Sequence, residues 1–173
     1  MVVSTPLRER LVTDFARWVA SCAVPIFSSE EVYVALDAVD FAPLFRVELG
    51  PIGAEEFRAW HEAAIAEMQD AQPKFNVGWA AKILNEYLKT KCYVGGYGRD
   101  GLSGVIHPPI DNGLMLGLRS EFSGDPDLRQ RLDSLEKMSG LDTYAKYDKL
   151  IQVCVRVARM SGCSLLESEQ FWA

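Results

Sequence analysis

Apolar positions along the N-terminal segment recur at helical spacing. Leu7, Leu11, Val12, Phe15, Trp18, Val19 and Cys22 fall on one face of a helix that Thr5 caps and Pro6 opens, ending near Val24-Pro25. Ser28 and Glu31 form a capping box for a short helix reaching about Ala38, and Phe41–Arg46 reads as a turn or helical piece. After Gly53 a strong helix carries Phe57, Trp60, Ala64, Ile65 and Met68 on one face. It stops around Ala71-Gln72-Pro73, because the residue before a proline avoids the helical region. Asn76 caps the next helix, whose stripe is Ala80, Ile83, Leu84, Tyr87 and Leu88.

Gly95, Gly96, Gly98, Gly101 and Gly104 then predict a loop, and Pro108 with Pro109 holds Val105–Ile110 extended. Asp111 caps a helix bearing Leu114, Met115 and Leu118. Asp125-Pro126 starts another with Leu128, Leu132 and Leu135, closed by Gly140. Asp142 opens a long helix with Tyr147, Leu150, Ile151, Cys154, Val155 and Ala158, closed by Gly162. Ser164 with Glu167 caps a short last helix. No run alternates with period two, so the expected fold is all-α, a single domain over residues 1–173 with about seven to eight helices.

Composition narrows the class. With 173 residues, 49% hydrophobic and 24% charged, the chain can bury one core and is not generally disordered. No stretch approaches the roughly 20 apolar residues that span a bilayer, and the start lacks a basic segment followed by an apolar run. The four cysteines form no CxxC pair, and His61 and His107 lack partners at ligand spacing, which weakens a metal-dependent hydrolase or nuclease. A cytoplasmic protein without cofactor, metal, membrane or obligate protein partner is expected. The net charge of −6 opposes a broad nonspecific nucleic-acid footprint, so any DNA contact needs a local basic face.

Candidate chemistry lies in the middle third. Lys82 sits among Ala80, Ala81, Ile83 and Leu84, at the edge of a buried stripe. A partly desolvated lysine is an amine nucleophile toward a carbonyl-like carbon; the plainer reading is a lysine whose head reaches water. Asp111, delivered to a helix start by Pro108-Pro109-Ile110, suits a cap and also an electrostatic or general-base role in a cleft. The glycine loop lacks the Gly-Lys-Ser/Thr ending of a P-loop, which excludes an ATPase of that type.

Lys82-Ile83-Leu84-Asn85-Glu86-Tyr87-Leu88-Lys89, a loop, then Ile106-His107-Pro108-Pro109-Ile110-Asp111 resembles the core of the helix-hairpin-helix DNA glycosylases, most of all the archaeal-type 8-oxoguanine glycosylases. The resemblance covers about a quarter of the chain. It implies a degenerate helix-hairpin-helix, with Lys82 as the amine attacking sugar C1′ and Asp111 as the essential carboxylate. The chain departs from the pattern in having one glycine, Gly78, before the lysine, a longer loop to the aspartate, and a short overall length. The implied partner is double-stranded DNA with a modified base flipped into a pocket. Phe75, Trp79, Tyr93 and His107 are the expected pocket residues, His107 because it lies on an irregular segment. Lys89, Lys91, Arg99, Lys149, Arg156 and Arg159 are the expected DNA contacts, with Lys146 beside the last three on the long helix. Lys149, Arg156 and Arg159 share a helix face.

The leading expectation is thus a glycosylase that leaves an abasic site, with strand cleavage if Lys82 forms a Schiff base. Its target on a phage-defence reading is a hypermodified base such as glucosylated hydroxymethylcytosine, for which the glycine loop leaves room. Repair of 8-oxoguanine is one alternative. A non-catalytic all-α interaction module, adaptor or antitoxin-like, is the other.

Overall fold

The fold is built around α5 (Val77–Leu88), along which α1 (Thr5–Cys22) packs, in a computed structural model that describes residues 5–133 and 138–173. The order continues as α2 (Ser29–Asp37), α3 (Ala42–Phe45), α4 (Ala54–Ala71), α5, α6 (Leu102–Val105), α7 (Asn112–Glu121), α8 (Pro126–Asp133) and α9 (Tyr144–Ser161). Among the described residues there is no strand, and the protein is all-α. Two of these nine helices, α3 and α6, are single turns of four residues, which accounts for the excess over the expected number. No helix among the described residues is long and apolar enough to cross a membrane.

The expected core face of α1 is reversed. Leu7, Leu11, Phe15 and Trp18 are exposed, and Ala16 and Ala20 are buried. Small residues explain this. Ala80 and Ala81 of α5 are also fully buried, and alanines on both helices let the two backbones approach closely.

Most predicted termini are present. Ser28 and Glu31 form both bonds of the capping box, Asn76 accepts from the Trp79 amide at 2.8 Å, and Asp125 accepts from Leu128 at 2.9 Å. At α9 the cap is Thr143 rather than Asp142, whose carboxylate instead pairs with Lys146. The 164–167 box forms, but it opens a 3-10 turn, Leu166–Phe171, rather than an α-helix. Leu135 lies outside the described residues, and Gly140 falls in a 3-10 turn at Met138–Gly140.

After Leu88 the helix widens into a π-turn, Lys89–Val94, that turns Thr90, Lys91 and Cys92 inward. The adjoining glycine loop is organised by Arg99. Its guanidinium, 2% exposed, donates to the carbonyls of Pro43, Leu49, Gly50 and Pro51 and pairs with Glu56. Gly101 then turns with φ +83°, where any Cβ would sit 2.9 Å from the Ile52 carbonyl oxygen.

A buried polar cluster sets the approach to the site. Asn85 of α5 donates to the Pro108 carbonyl at 3.2 Å and to the Tyr147 hydroxyl at 2.9 Å, while its carbonyl meets His61 Nε2 at 2.9 Å. Pinning Pro108 to α5 one turn beyond Lys82 brings the extended segment back along that helix.

Candidate active site

Lys82 and Asp111 come together. Lys82 Nζ lies 3.4 Å from Asp111 Oδ2, with the side chains 14% and 25% exposed. Lys82 comes from the middle of α5, and Asp111 is the N-cap of α7, accepting from the Leu114 amide through Oδ1 at 2.9 Å. The same oxygen accepts from the Trp172 indole N–H at 2.9 Å. Partial burial pushes the Asp111 carboxyl upward, but the Leu114 amide, the Trp172 indole and Lys82 together outweigh it. The pKa therefore stands below the ordinary aspartate value.

The pair lines a cleft of about 310 Å³ whose other walls are Ala23–Ile26, Trp79, Asn112, Gly113 and Met138. Among the described residues those walls carry no further cation, so the immediate surroundings are apolar rather than basic. The glycine loop is not among them; Arg99 holds it against the 43–51 segment instead.

Of the four expected pocket residues, only Trp79 joins this cleft. Phe75 is a core residue, its ring 4.5 Å from that of Phe27, because the turn before α5 points it inward. Tyr93, on the π-turn, donates to Glu167 and lines a separate surface depression with Lys89. His107 is 5% exposed and bonded to Tyr147 at 3.0 Å; the irregular segment that carries it runs through the interior.

The expected DNA contacts are dispersed. Lys89 is held by Glu86 and Glu169, which restore and exceed the pKa that burial lowers. Lys91 is buried with Nζ 4.3 Å from the Phe45 ring centroid, and burial lowers its pKa. Arg99 is the loop clamp, with no face toward solvent. Arg156 pairs with Asp125 and Asp127 of the α8 start. Lys149 and Arg159 are exposed, and Arg159 borders another cleft of about 570 Å³ together with His107. Gly78, the single glycine that the resemblance sets before the lysine, donates its amide to the Leu141 carbonyl at 3.0 Å. A Cβ there would meet the Met138 carbonyl oxygen at 2.7 Å, so Gly78 serves close packing.

Trp172 and the surface that receives it are absent from the sequence-based expectations. The C-terminal residues cross α7 at Gly113 and Gly117, where added Cβ atoms would collide with the Trp172 ring and the Phe171 carbonyl. The Ala173 amide donates to Gly113 O at 3.3 Å. The two glycines, four apart on a helix, were the available signal: such spacing marks one bare strip along a helix.

Chemically, the arrangement offers a fixed carboxylate and a primary amine at one cleft wall, with Trp79 beside them. No family profile matches this chain, and neither a curated protein nor a solved structure shows significant similarity to it.

Proposed function

We propose that the protein is a DNA glycosylase that removes a modified base from a flipped-out nucleotide. The observation that supports this reading is the juxtaposition of the Lys82 amine and the Asp111 carboxylate at one cleft. Cleavage of the C1′–N bond sends its electron pair to the departing base and leaves positive charge on C1′ and O4′. A carboxylate held ionised beside that centre stabilises the charge. Water attack then gives an abasic site. Alternatively the Lys82 ammonium gives one proton to the departing base, and the amine so freed bonds to C1′; a second proton of that nitrogen passes to O4′ as the ring opens. Breaking C1′–O4′ then yields a Schiff base, the route to strand cleavage.

The cleft is bordered in part by small residues, Ala23 and Pro25, which suits a base with a bulky adduct. On this ground the substrate class we put first is the hypermodified phage base, with glucosylated hydroxymethylcytosine as its representative. The test is incubation with unmodified DNA, 8-oxoguanine DNA and phage DNA containing that base, counting abasic sites. Abasic sites on one substrate, lost in Asp111→Asn, are the expected result.

The exposed row Leu7, Leu11, Phe15 and Trp18, with Phe15 and Trp18 stacked at 5.6 Å, favours a second reading as an interaction module. Intact DNA on every substrate transfers the function to that reading.

A further inference from the structure

The protein holds a second cleft, of about 570 Å³, which among the described residues shares no lining residue with the one at Lys82 and Asp111. Its chemistry follows from the hydrogen-bond directions in the core behind it. Asn85 commits both amide hydrogens, to Pro108 O and to Tyr147 Oη, so its carbonyl accepts from His61 Nε2–H. Burial keeps His61 neutral, and its Nδ1 therefore accepts the Tyr144 hydroxyl at 3.0 Å. Tyr147, already accepting from Asn85, gives its own hydrogen to His107 Nδ1 at 3.0 Å. Burial and the neighbouring His61 ring keep His107 neutral as well, which leaves its one N–H on Nε2.

That N–H has no acceptor among the described residues. The nitrogen is not sealed inside the protein either, and His107 is one of the residues that line the cleft. A donor at the end of an aligned relay is polarised toward an acceptor. Arg58 and Arg159 stand on the same cleft. Arg58 gives Nε to Asp148 at 3.0 Å, while its two Nη groups and the Arg159 guanidinium make no hydrogen bond among the described residues. Among the described residues of the wall, Glu55 is the only carboxylate not already in an ion pair. Ile151, Val155 and Leu165 supply an apolar side.

We propose that this cleft binds a small organic anion, its carboxylate or phosphate oxygen accepting from His107 Nε2–H between Arg58 and Arg159, its apolar body against Ile151, Val155 and Leu165. The volume lies within the range of small-molecule sites, about 300–1,000 Å³. The inference is independent of any DNA chemistry at Lys82.

The experiment titrates the full chain with benzoate, phenyl phosphate and inorganic phosphate at millimolar concentration, following the His107 ring nitrogens by long-range proton–nitrogen correlation. The expected result is saturable movement of the His107 signals with benzoate or phenyl phosphate, weakened about tenfold or more in Arg159→Ala. Gly104→Trp is the blocking variant: Gly104 borders the cleft, and a Cβ there meets nothing within 4 Å, so a side chain starts there without a clash. Binding is expected to disappear in Gly104→Trp and to persist in Lys82→Ala. The proposal is overturned if neither organic anion moves His107, if the movement survives in Gly104→Trp, or if inorganic phosphate alone reproduces it at equal concentration.

Discussion

Trp172 donates its indole N–H to the same Asp111 oxygen that caps α7, at 2.9 Å, leaving the second oxygen to face Lys82. One carboxylate thus joins a helix start, the C-terminal segment and the candidate amine. Trp172 is 58% exposed, so this bond can be removed without opening the core.

Trp172→Phe keeps a ring and removes the donor. Donation to the ionised form lowers the Asp111 pKa, so its loss raises it. The carboxyl titration followed by carbon NMR is expected to move to higher pH. The acid limb of any abasic-site activity is expected to move the same way; an unchanged titration midpoint refutes the coupling.

Asp111 has a structural role separable from its proposed chemical one. Asn is as good a cap as Asp, whereas Ala costs about 1 kcal/mol. Urea unfolding is therefore expected to show Asp111→Ala destabilised by about that amount, with Asp111→Asn losing less. Abasic-site formation is expected to be abolished in both. Activity that tracked stability, retained in Asn and lost in Ala, removes Asp111 from the chemistry.

Gly117→Ala places a methyl group where the Phe171 carbonyl lies. The C-terminal segment is expected to lift from α7, speeding amide exchange at Trp172 and Ala173. The Asp111 pKa is expected to rise in the same direction as in Trp172→Phe. Unaltered exchange at both amides contradicts this packing.

The two buried histidines predict a stability loss at mildly acidic pH. Burial pushes His61 down to about 4, against an ordinary value of 6.5, the hydrogen bond to Asn85 offsetting only part of this. His107 is lowered in the same direction. A depressed histidine pKa leaves the fold fully stable above pH 6.5 and loses stability as pH falls toward 4, because the unfolded chain takes up protons first. For His61 alone this amounts to roughly 3 kcal/mol. The lowered carboxylates, such as Glu31 at about 2 against 4.5, act mainly below about pH 4.5, at the acid end of this window. Urea midpoints are expected to drop between about pH 7 and about pH 4.5, and a flat profile over that range refutes the neutral-pair assignment.

The helix boundaries were legible because caps and prolines are local signals: Ser28, Asn76, Asp111 and Gly162 act on residues three or four away. The Lys82–Asp111 proximity follows from no local signal, since the two residues are 29 apart in the chain; the resemblance to the glycosylases, and not spacing, named both of them. What escaped depends on choices between faces. On α1 the larger apolar residues promised a core, but the close approach to α5 selected Ala16 and Ala20. Arg99 and Lys91 look like surface cations in sequence. Four carbonyls and Glu56 around one, and an aromatic ring against the other, offset the cost of burial. The His107 segment looks like surface loop until Asn85 bonds the Pro108 carbonyl and Tyr147 bonds His107 Nδ1 inside.

Arg99 also sets which parts of the molecule move as one. Its five side-chain partners lie between Pro43 and Glu56, its own amide bonds to Leu44 O, and Ile52 returns a bond to Asp100 O. The two stretches, far apart in the chain, cannot fray separately: loosening either exposes the other, so a proteolytic nick in one is felt in both. The glycine-rich stretch, which by composition ought to be the least ordered part of the chain, is thereby assigned the stability of its neighbour.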